Sequence, residues 1–239
     1  SFNASGSYTD SGSDSTTYTN SHINASNITI KSSEDTTVRG GVVTAENSLK
    51  LDIGGDLTVE SLQDKSRNSS HTIGASVSGG GDGVSGGGAN ANMSSGSKRW
   101  VTEQTSLTGG TVDIYVEDKT TLRGAVIAST TGDLTLDTGS LEYSNIKDKD
   151  RSSNVGGGVN VGSDSKSVNA TYGFTDKRQT NFATIGEGTI TVRDGEADLS
   201  KLNRDTTISQ YNTKDGGLQG GFTVDTATVN LIAHPENTV

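Results

Sequence analysis

The feature that most constrains this chain is that it repeats itself. "TTVRGGVV" at residues 36–43 returns as "TTLRGAVI" at 120–127, a displacement of 84 residues. The match runs well past the phrase. Under the same shift Ile23 meets Leu107, Ile28 meets Val112, Ile30 meets Ile114, and Val42 and Val43 meet Val126 and Ile127. Leu57 then meets Leu141, Leu62 meets Ile146, and Asp64, Lys65 and Arg67 meet Asp148, Lys149 and Arg151, with no gap. Apolar residues kept opposite apolar residues over such a span define a structural unit used more than once.

A third copy begins near residue 180, where "TIGEGTITV" matches "SLTGGTVDIYV". In this alignment Ile185, Ile190 and Val192 take the places of Leu107, Val112 and Ile114. Ile30 to Leu62 is 32 residues, but Val192 to Leu202 is 10, which is 22 fewer. Losing one whole coil while staying in register is what a stack of interchangeable courses permits. The copies are placed at approximately 15–98, 99–179 and 180–233 of a single unit spanning 1–239.

The local pattern agrees. "ITIK", "VDIYV", "LKLDI", "DLTLD", "TITV" and "ATVNLIA" alternate apolar and polar with period two and end at Gly, Asn or Asp. No segment carries helical periodicity. Only 28% of the chain is hydrophobic, well below an ordinary globule. A coil wound around a narrow interior needs one apolar residue in two, which reconciles that figure with an ordered fold. Charged residues at 20% and a single Pro argue against disorder. The fold class read from the sequence is all-β: a right-handed parallel β-helix, or solenoid, with Gly-rich hairpin or loop extrusions.

Those extrusions lie between the copies. Residues 71–104 alternate into "GGGDGVSGGG" and out again, and 154–179 do the same around "GSDSKS". The first twenty residues read as the outgoing half of a third, and 206–233 as a shorter fourth that turns at "KDGG". Gly supplies the tight turns. Whether the arms stay mobile or pack on the flank is left open by the sequence.

Chemistry is sparse. His22, His71 and His234 share no metal spacing and read as solvated turn residues, and without Cys a structural zinc site has no ligands. "GGGDGVSGGG" lacks the spacing of a calcium nonapeptide and the Lys-Ser/Thr of a phosphate loop. Asp133, Asp137, Asp148 and Asp150 suggest a carboxylate pair for sugar hydrolysis, yet Asp148 recurs as Asp64, which marks a strand-end charge rather than a catalyst. Arg39 and Arg123 precede Gly40 and Gly124 and read as bend residues that donate to turn carbonyls. Trp100 stands alone, and the sequons at Asn3, Asn24, Asn27, Asn68, Asn92 and Asn169 follow from composition. No catalytic, cofactor or metal residues are assigned, and an enzyme is not expected. A net charge of −10 without Lys/Arg clusters argues against nucleic acid as a partner. No run reaches the roughly 18 to 20 apolar residues of a membrane helix. The chain does not begin with Met and reads as an excised piece.

"VTEQTSLTGG", "LRGAVIAST" and "LDTGSLEYSNIKDKD", with the earlier "TTVRGGVVTAENSLKLDIGGDLTVESLQDKS", resemble the haemagglutinin repeats of two-partner-secreted exoproteins of Gram-negative bacteria. These are the filamentous-haemagglutinin-like proteins, contact-dependent growth inhibition effectors among them, and the resemblance spans roughly residues 15–233. It implies a β-helical filament segment at the cell surface, secretion through an outer-membrane transporter, and no catalysis within the repeats. Within the growth-inhibition group it implies a contribution to toxin passage across a target cell's outer membrane. The Gly-rich arms suit that role as membrane-facing strands, although each arm's apolar stripe is thin. An adhesin that binds host surfaces and a haemolysin-like exoprotein are the other readings it allows. Cut solenoid ends imply end-to-end self-association.

Overall fold

The computed structural model describes residues 1–195 and 197–228. The strands are β1 (Phe2–Thr16), β2 (Ser21–Ser32), β3 (Thr36–Arg39), β4 (Gly41–Ile53), β5 (Leu57–Glu60), β6 (Asp64–Gly80) and β7 (Gly83–Trp100). They continue with β8 (Ser106–Arg123), β9 (Val126–Ser144), β10 (Ile146–Gly162), β11 (Lys166–Asn181), β12 (Thr184–Ile185), β13 (Thr189–Val192) and β14 (Gln210–Asp225). Among the described residues, helical backbone occurs at a 3-10 turn, Thr206–Ile208, capped by the Asp205 carboxylate on Thr207 N–H, and at 226–228.

One group of strands forms a parallel ladder. β2 pairs with β4, β4 with β8, β8 with β9, and β9 with β12 and β13, while β3 pairs with β5 and β5 with β8. Residues one period apart therefore stack in columns. Ile30, Leu51, Ile114, Leu136 and Ile190 form one column, and Ile23, Val43, Leu107, Ile127 and Ile185 another. On a third side Val38, Val59, Leu122 and Tyr143 align. The step from Ile28 to Leu49 is 21 residues and from Val112 to Leu134 is 22. From Leu49 to Val112 it is 63, because a hairpin is inserted there. The 84-residue repeat is thus two courses of the ladder plus one hairpin, and the residues it matches stand two levels apart.

Alternation decides what is inside. Leu49, Leu51, Ile53, Leu57 and Val59 are buried, as are Leu107, Val112, Ile114, Val116 and Leu122, and polar residues fill most of the intervening positions. Aliphatic columns stack in one continuous cluster with Ile185 and Leu202. Fully burying such a side chain contributes about 1.5–3 kcal/mol. Few apolar residues suffice because nearly every one of them in the ladder points inward.

The third copy departs from the sequence alignment. Ile190 pairs with Leu136, and Val192 with Thr138, so Ile190 takes the place of Ile114 rather than that of Val112. The corner explains the two-residue shift. Gly188, at φ 140°, closes it in fewer residues, where an added Cβ would lie 2.3 Å from Leu134 O. The chain does not omit its next level altogether. Asn203 forms a parallel bridge with Thr184, accepts from Ile185 N–H, and begins a truncated sixth course over the buried Leu202.

The arms are not separate. They assemble into a six-stranded antiparallel sheet in the order β1-β6-β7-β10-β11-β14. The reason is a matching of spacings. Each course of a parallel ladder climbs about 4.8 Å, the same as the distance between neighbouring strands of the second sheet. Each ladder level hands on to one strand, so the hairpins β6–β7 and β10–β11 land edge to edge and β7 pairs with β10 through Lys149↔Arg99 to Gly162↔Gly86. The expected turn at "KDGG" is absent. Lys214, Asp215, Gly216 and Gly217 lie within β14, opposite Arg178, Lys177, Asp176 and Thr175. Pairing straight along the open edge of β11 satisfies more backbone groups than a short self-hairpin. The expected strand at 227–233 is helical where described, at Ala227 and Thr228; its remainder lies outside the described residues.

Candidate functional site

Where the ladder meets the second sheet, a buried polar junction fixes their relation. Gly40 and Gly124 turn the chain at φ 62° and 54°, and a Cβ there would lie 2.9 Å from Leu62 and 2.8 Å from Ile146 respectively. The repeat thus sets a glycine under the same apolar side chain in each copy. The preceding arginines do not reach turn carbonyls as the sequence suggested. Arg39 Nε and Arg123 Nη1 lie 2.9 and 3.3 Å from opposite oxygens of the Glu60 carboxylate. Parallel register places Arg39, Glu60 and Arg123 side by side, so the intervening acid is the nearer partner.

Asp148 is the centre of the junction. It is 2% exposed and accepts from Gln63 Nε2 (2.7 Å), Val101 N–H (2.9 Å), Gln179 Nε2 (2.9 Å) and Asn181 Nδ2 (2.7 Å). Its repeat mate Asp64 accepts from Tyr18 N–H and Thr102 Oγ1, both at 2.7 Å. The carboxylates singled out in the sequence do not converge. Asp133 and Asp137 lie in the ladder, Asp137 paired to Arg193, whereas Asp148 and Asp150 lie on β10 of the other sheet. His22 and His71 sit within strands rather than turns, His22 Nε2 being 2.9 Å from Glu103 Oε1, and His234 lies outside the described residues.

The six-stranded sheet has two unlike faces. Register and alternation put Ser, Thr, Asn and Gly on one, for example Ser7, Gly74, Asn90, Gly158 and Asn169. Asn3, Asn68 and Asn92 belong there too. The other face carries Tyr8, Ile73, Val77 and Met93, then Val155, Val159 and Val161, then Val168, Tyr172 and Phe174, and finally Leu218, Phe222 and Val224. All of these are exposed, from Tyr8 at 67% and Val155 and Phe222 at 59% to Val224 at 39%. Each strand's stripe is thin, as the sequence indicated. Six stripes in register make a broad apolar face. Monomeric soluble proteins seldom expose a contiguous patch beyond a few hundred Å².

At its ladder end the same face changes to cations. Lys65, Arg99, Lys149, Arg178 and Lys214 stand directly opposite one another across five strands. Two residues further along lie Arg67 and Arg151, with Asp14 and Asp176. Asp176 is ion-paired to Arg178 (3.0 Å), Lys214 (2.7 Å) and Arg151 (3.4 Å). Hydrogen bonds from Arg178, then Lys214, hold its carboxyl well below the ordinary carboxylate range. A cavity of about 330 Å³ opens beside the row, lined by Asp14, Lys65, Arg67, Arg99 and Lys149 among others. The sequence contains no run of basic residues here; pairing gathers them from separate strands.

Comparison with known proteins follows this geometry. Residues 1–75 match the family described as hemagglutinin repeat. The chain is 38% identical over 206 residues to the Deoxyribonuclease CdiA of Yersinia pseudotuberculosis serotype O:3 (strain YPIII), covering 74% of this chain and 19% of that protein. It is 38% identical over 206 residues to the Toxin CdiA of Yersinia pestis and 32% identical over 211 residues to the tRNA nuclease CdiA of Escherichia coli (strain NC101). Each of those matches covers 74% of this chain and 6% of the relative. Residues 1–75 thus carry the hemagglutinin repeat, and the matches to the CdiA proteins support a filamentous-haemagglutinin-type repeat region of such an exoprotein. The chain spans under a fifth of the length of these relatives, and the nuclease activities in two of their names are those of the whole proteins. No solved structure matches.

Proposed function

We propose that this segment is a non-catalytic internal part of a large exoprotein, secreted to the surface of a Gram-negative bacterium, that supports toxin delivery into neighbouring bacteria by contact-dependent growth inhibition. In this reading the ladder is a right-handed parallel β-helix, the repeat copies run approximately 15–98, 99–179 and 180–233, and an outer-membrane transporter of the two-partner system exports it. The outer ladder strands β2 and β13 are the edges through which copies would join end to end. No step of chemistry is assigned to it.

The observation that carries the reading is the exposed apolar face of the six-stranded sheet. From the row of Phe174 and Leu218 to that of Val77 and Val161 is eight residue steps, about 27 Å of strand. The apolar band of an outer-membrane barrel is about 25 Å tall. Polar small residues opposite and apolar residues outward is also the barrel pattern. Among the described residues β1 and β14 have no partner on their outer edges, and hydrocarbon does not tolerate an unpaired edge. A single copy therefore lies against a bilayer, and spanning one would require those edges to close on further strands. The target cell's outer membrane is the partner that fits.

Flotation of the 239-residue chain with neutral phosphatidylcholine vesicles tests this. Binding that is lost in V155S/Y172S/F222S, with far-UV spectra unchanged, supports the reading. Absence of vesicle binding by the parent chain, in a sample shown monomeric by sedimentation, refutes it.

A further inference from the structure

We propose that the row of Lys65, Arg99, Lys149, Arg178 and Lys214 is a binding site for the phosphate groups of anionic lipid headgroups, which seats the apolar face at the membrane boundary. It deepens the membrane reading above and rests on it.

The row is anomalous on its own terms. Like charges directly opposite one another in a sheet are destabilising. The reverse face of the same five strands solves the problem in the ordinary way. There Lys98, Asp150, Lys177 and Asp215 alternate in sign, and Lys177 lies 3.2 Å from Asp215. On the cationic face Asp176 serves Arg151, Arg178 and Lys214, and the other acid, Asp14, stands opposite Arg67 at the outer strand without an ion pair among the described residues. Lys65, Arg67, Arg99 and Lys149 have no ion pair among the described residues, and all four are exposed around the cavity of about 330 Å³. At roughly 30 Å³ per water, that space admits a phosphate group with part of its hydration shell. This cluster stands in a chain whose net charge is −10, so it is a local inversion of sign.

Position selects the occupant. The five cations span four strand spacings, about 19 Å, along the border of the apolar face. Ser69, Ser95 and Ser153 come next on the central strands, and the apolar rows follow. Cationic, then small and polar, then apolar is the order met on passing from headgroups into hydrocarbon. A soluble polyanion or a nucleic acid would use the row and leave Ile73, Val155, Tyr172 and Phe222 unexplained. Long Lys and Arg stems allow their heads to reach the phosphate plane while the sheet sits deeper.

The test uses the intact chain, vesicles of neutral phosphatidylcholine, and vesicles containing phosphatidylglycerol, in low and in 0.5 M-range salt. The parent is expected to partition more strongly to the anionic vesicles, with the preference screened by salt. K65Q/R99Q/K149Q is expected to lose that preference, a drop on the order of 100-fold at about fivefold per cation, while binding neutral vesicles as the parent does. K177Q, on the reverse face and outside the cavity lining, should keep the preference. An undiminished preference in the row variant, or none in the parent, overturns the proposal while leaving the apolar reading intact if neutral vesicles still bind. Failure to bind either vesicle overturns both. In that case row-dependent binding of tripolyphosphate would reassign the row to a soluble anion, and row-dependent binding of duplex DNA to nucleic acid.

Discussion

Asp148 offers the sharpest test of how the ladder and the arm sheet are joined. Three donors converge on its Oδ2, from Val101, Gln179 and Asn181, and one on Oδ1, from Gln63. The three amide groups have other acceptors: Lys147 O for Gln63, Val101 O for Gln179, and Ile146 O for Asn181. Val101 N–H has only the carboxylate, and Val101 is fully buried. Asp148→Leu therefore orphans one buried backbone donor, at about 1–3 kcal/mol, and weakens three more bonds at about 0.5–1 kcal/mol each. The sum is about 4 kcal/mol. Asp148→Asn keeps an oxygen for the three-donor side, but sets an amide against Gln63 Nε2 and removes the charge assistance. Its cost is about 1.5 kcal/mol. Asp64→Leu, at the half-buried mate, costs about 1 kcal/mol. Urea unfolding followed by far-UV circular dichroism measures the ranking. Amide exchange at Val101 reports the local opening if the courses melt separately. A stabilised Asp148→Asn would mean that the buried negative charge is a burden its four donors do not offset. Equal losses for Asp148→Asn and Asp148→Leu would mean that the Val101 bond is not the decisive element. Either result refutes the account.

Four further outcomes are expected. Gly40→Ala and Gly124→Ala each cost about 2 kcal/mol or more by thermal melt, since both positions have positive φ and no room for a Cβ against Leu62 and Ile146. Ile114→Ala costs about 2–5 kcal/mol, because it opens a cavity in the middle of a five-residue column. Lys149→Gln stabilises the fold by up to about 1 kcal/mol, because Lys149 stands between Arg99 and Arg178; a loss of stability would contradict the charge argument. Asp176, depressed by Arg178 and Lys214, stabilises fully above the ordinary unfolded carboxylate value of about 3.9, and that contribution is lost as pH falls toward its folded value. The parent's melting temperature should fall between pH 4 and pH 2 more steeply than that of Asp176→Asn.

The ladder was legible because its signal is carried by side-chain type at fixed intervals. Ile30 and Ile114 announce a shared column however far apart they lie, since only aliphatic residues fit it. The corner at Gly188 was misread because an alignment counts residues, whereas the column counts courses, and a glycine can close a corner two residues sooner. The arm sheet was harder to see. Each arm's alternation was visible, but the pairing of Lys149 with Arg99, or Arg178 with Lys214, joins positions with no local mark of partnership. Polar Gly-rich strands specify register weakly, so the register here is imposed by the ladder beneath. "KDGG" was misread for the same reason: a turn sequence was overruled by a waiting edge. The cationic face was invisible because its members are scattered as one or two basic residues per strand.

The agreement of pitch between ladder and arms makes this unit extensible. Every added pair of courses would carry its own hairpin upward by about 9.6 Å, and that hairpin would occupy the same width beside its predecessor. A protein with many such repeats would grow a ribbon along the rod, oily on one side and edged by a continuous line of positive charge. Its grip on any surface would then scale with repeat number, as with a strip of hook tape, and weak contacts per unit would become firm attachment without any single tight site.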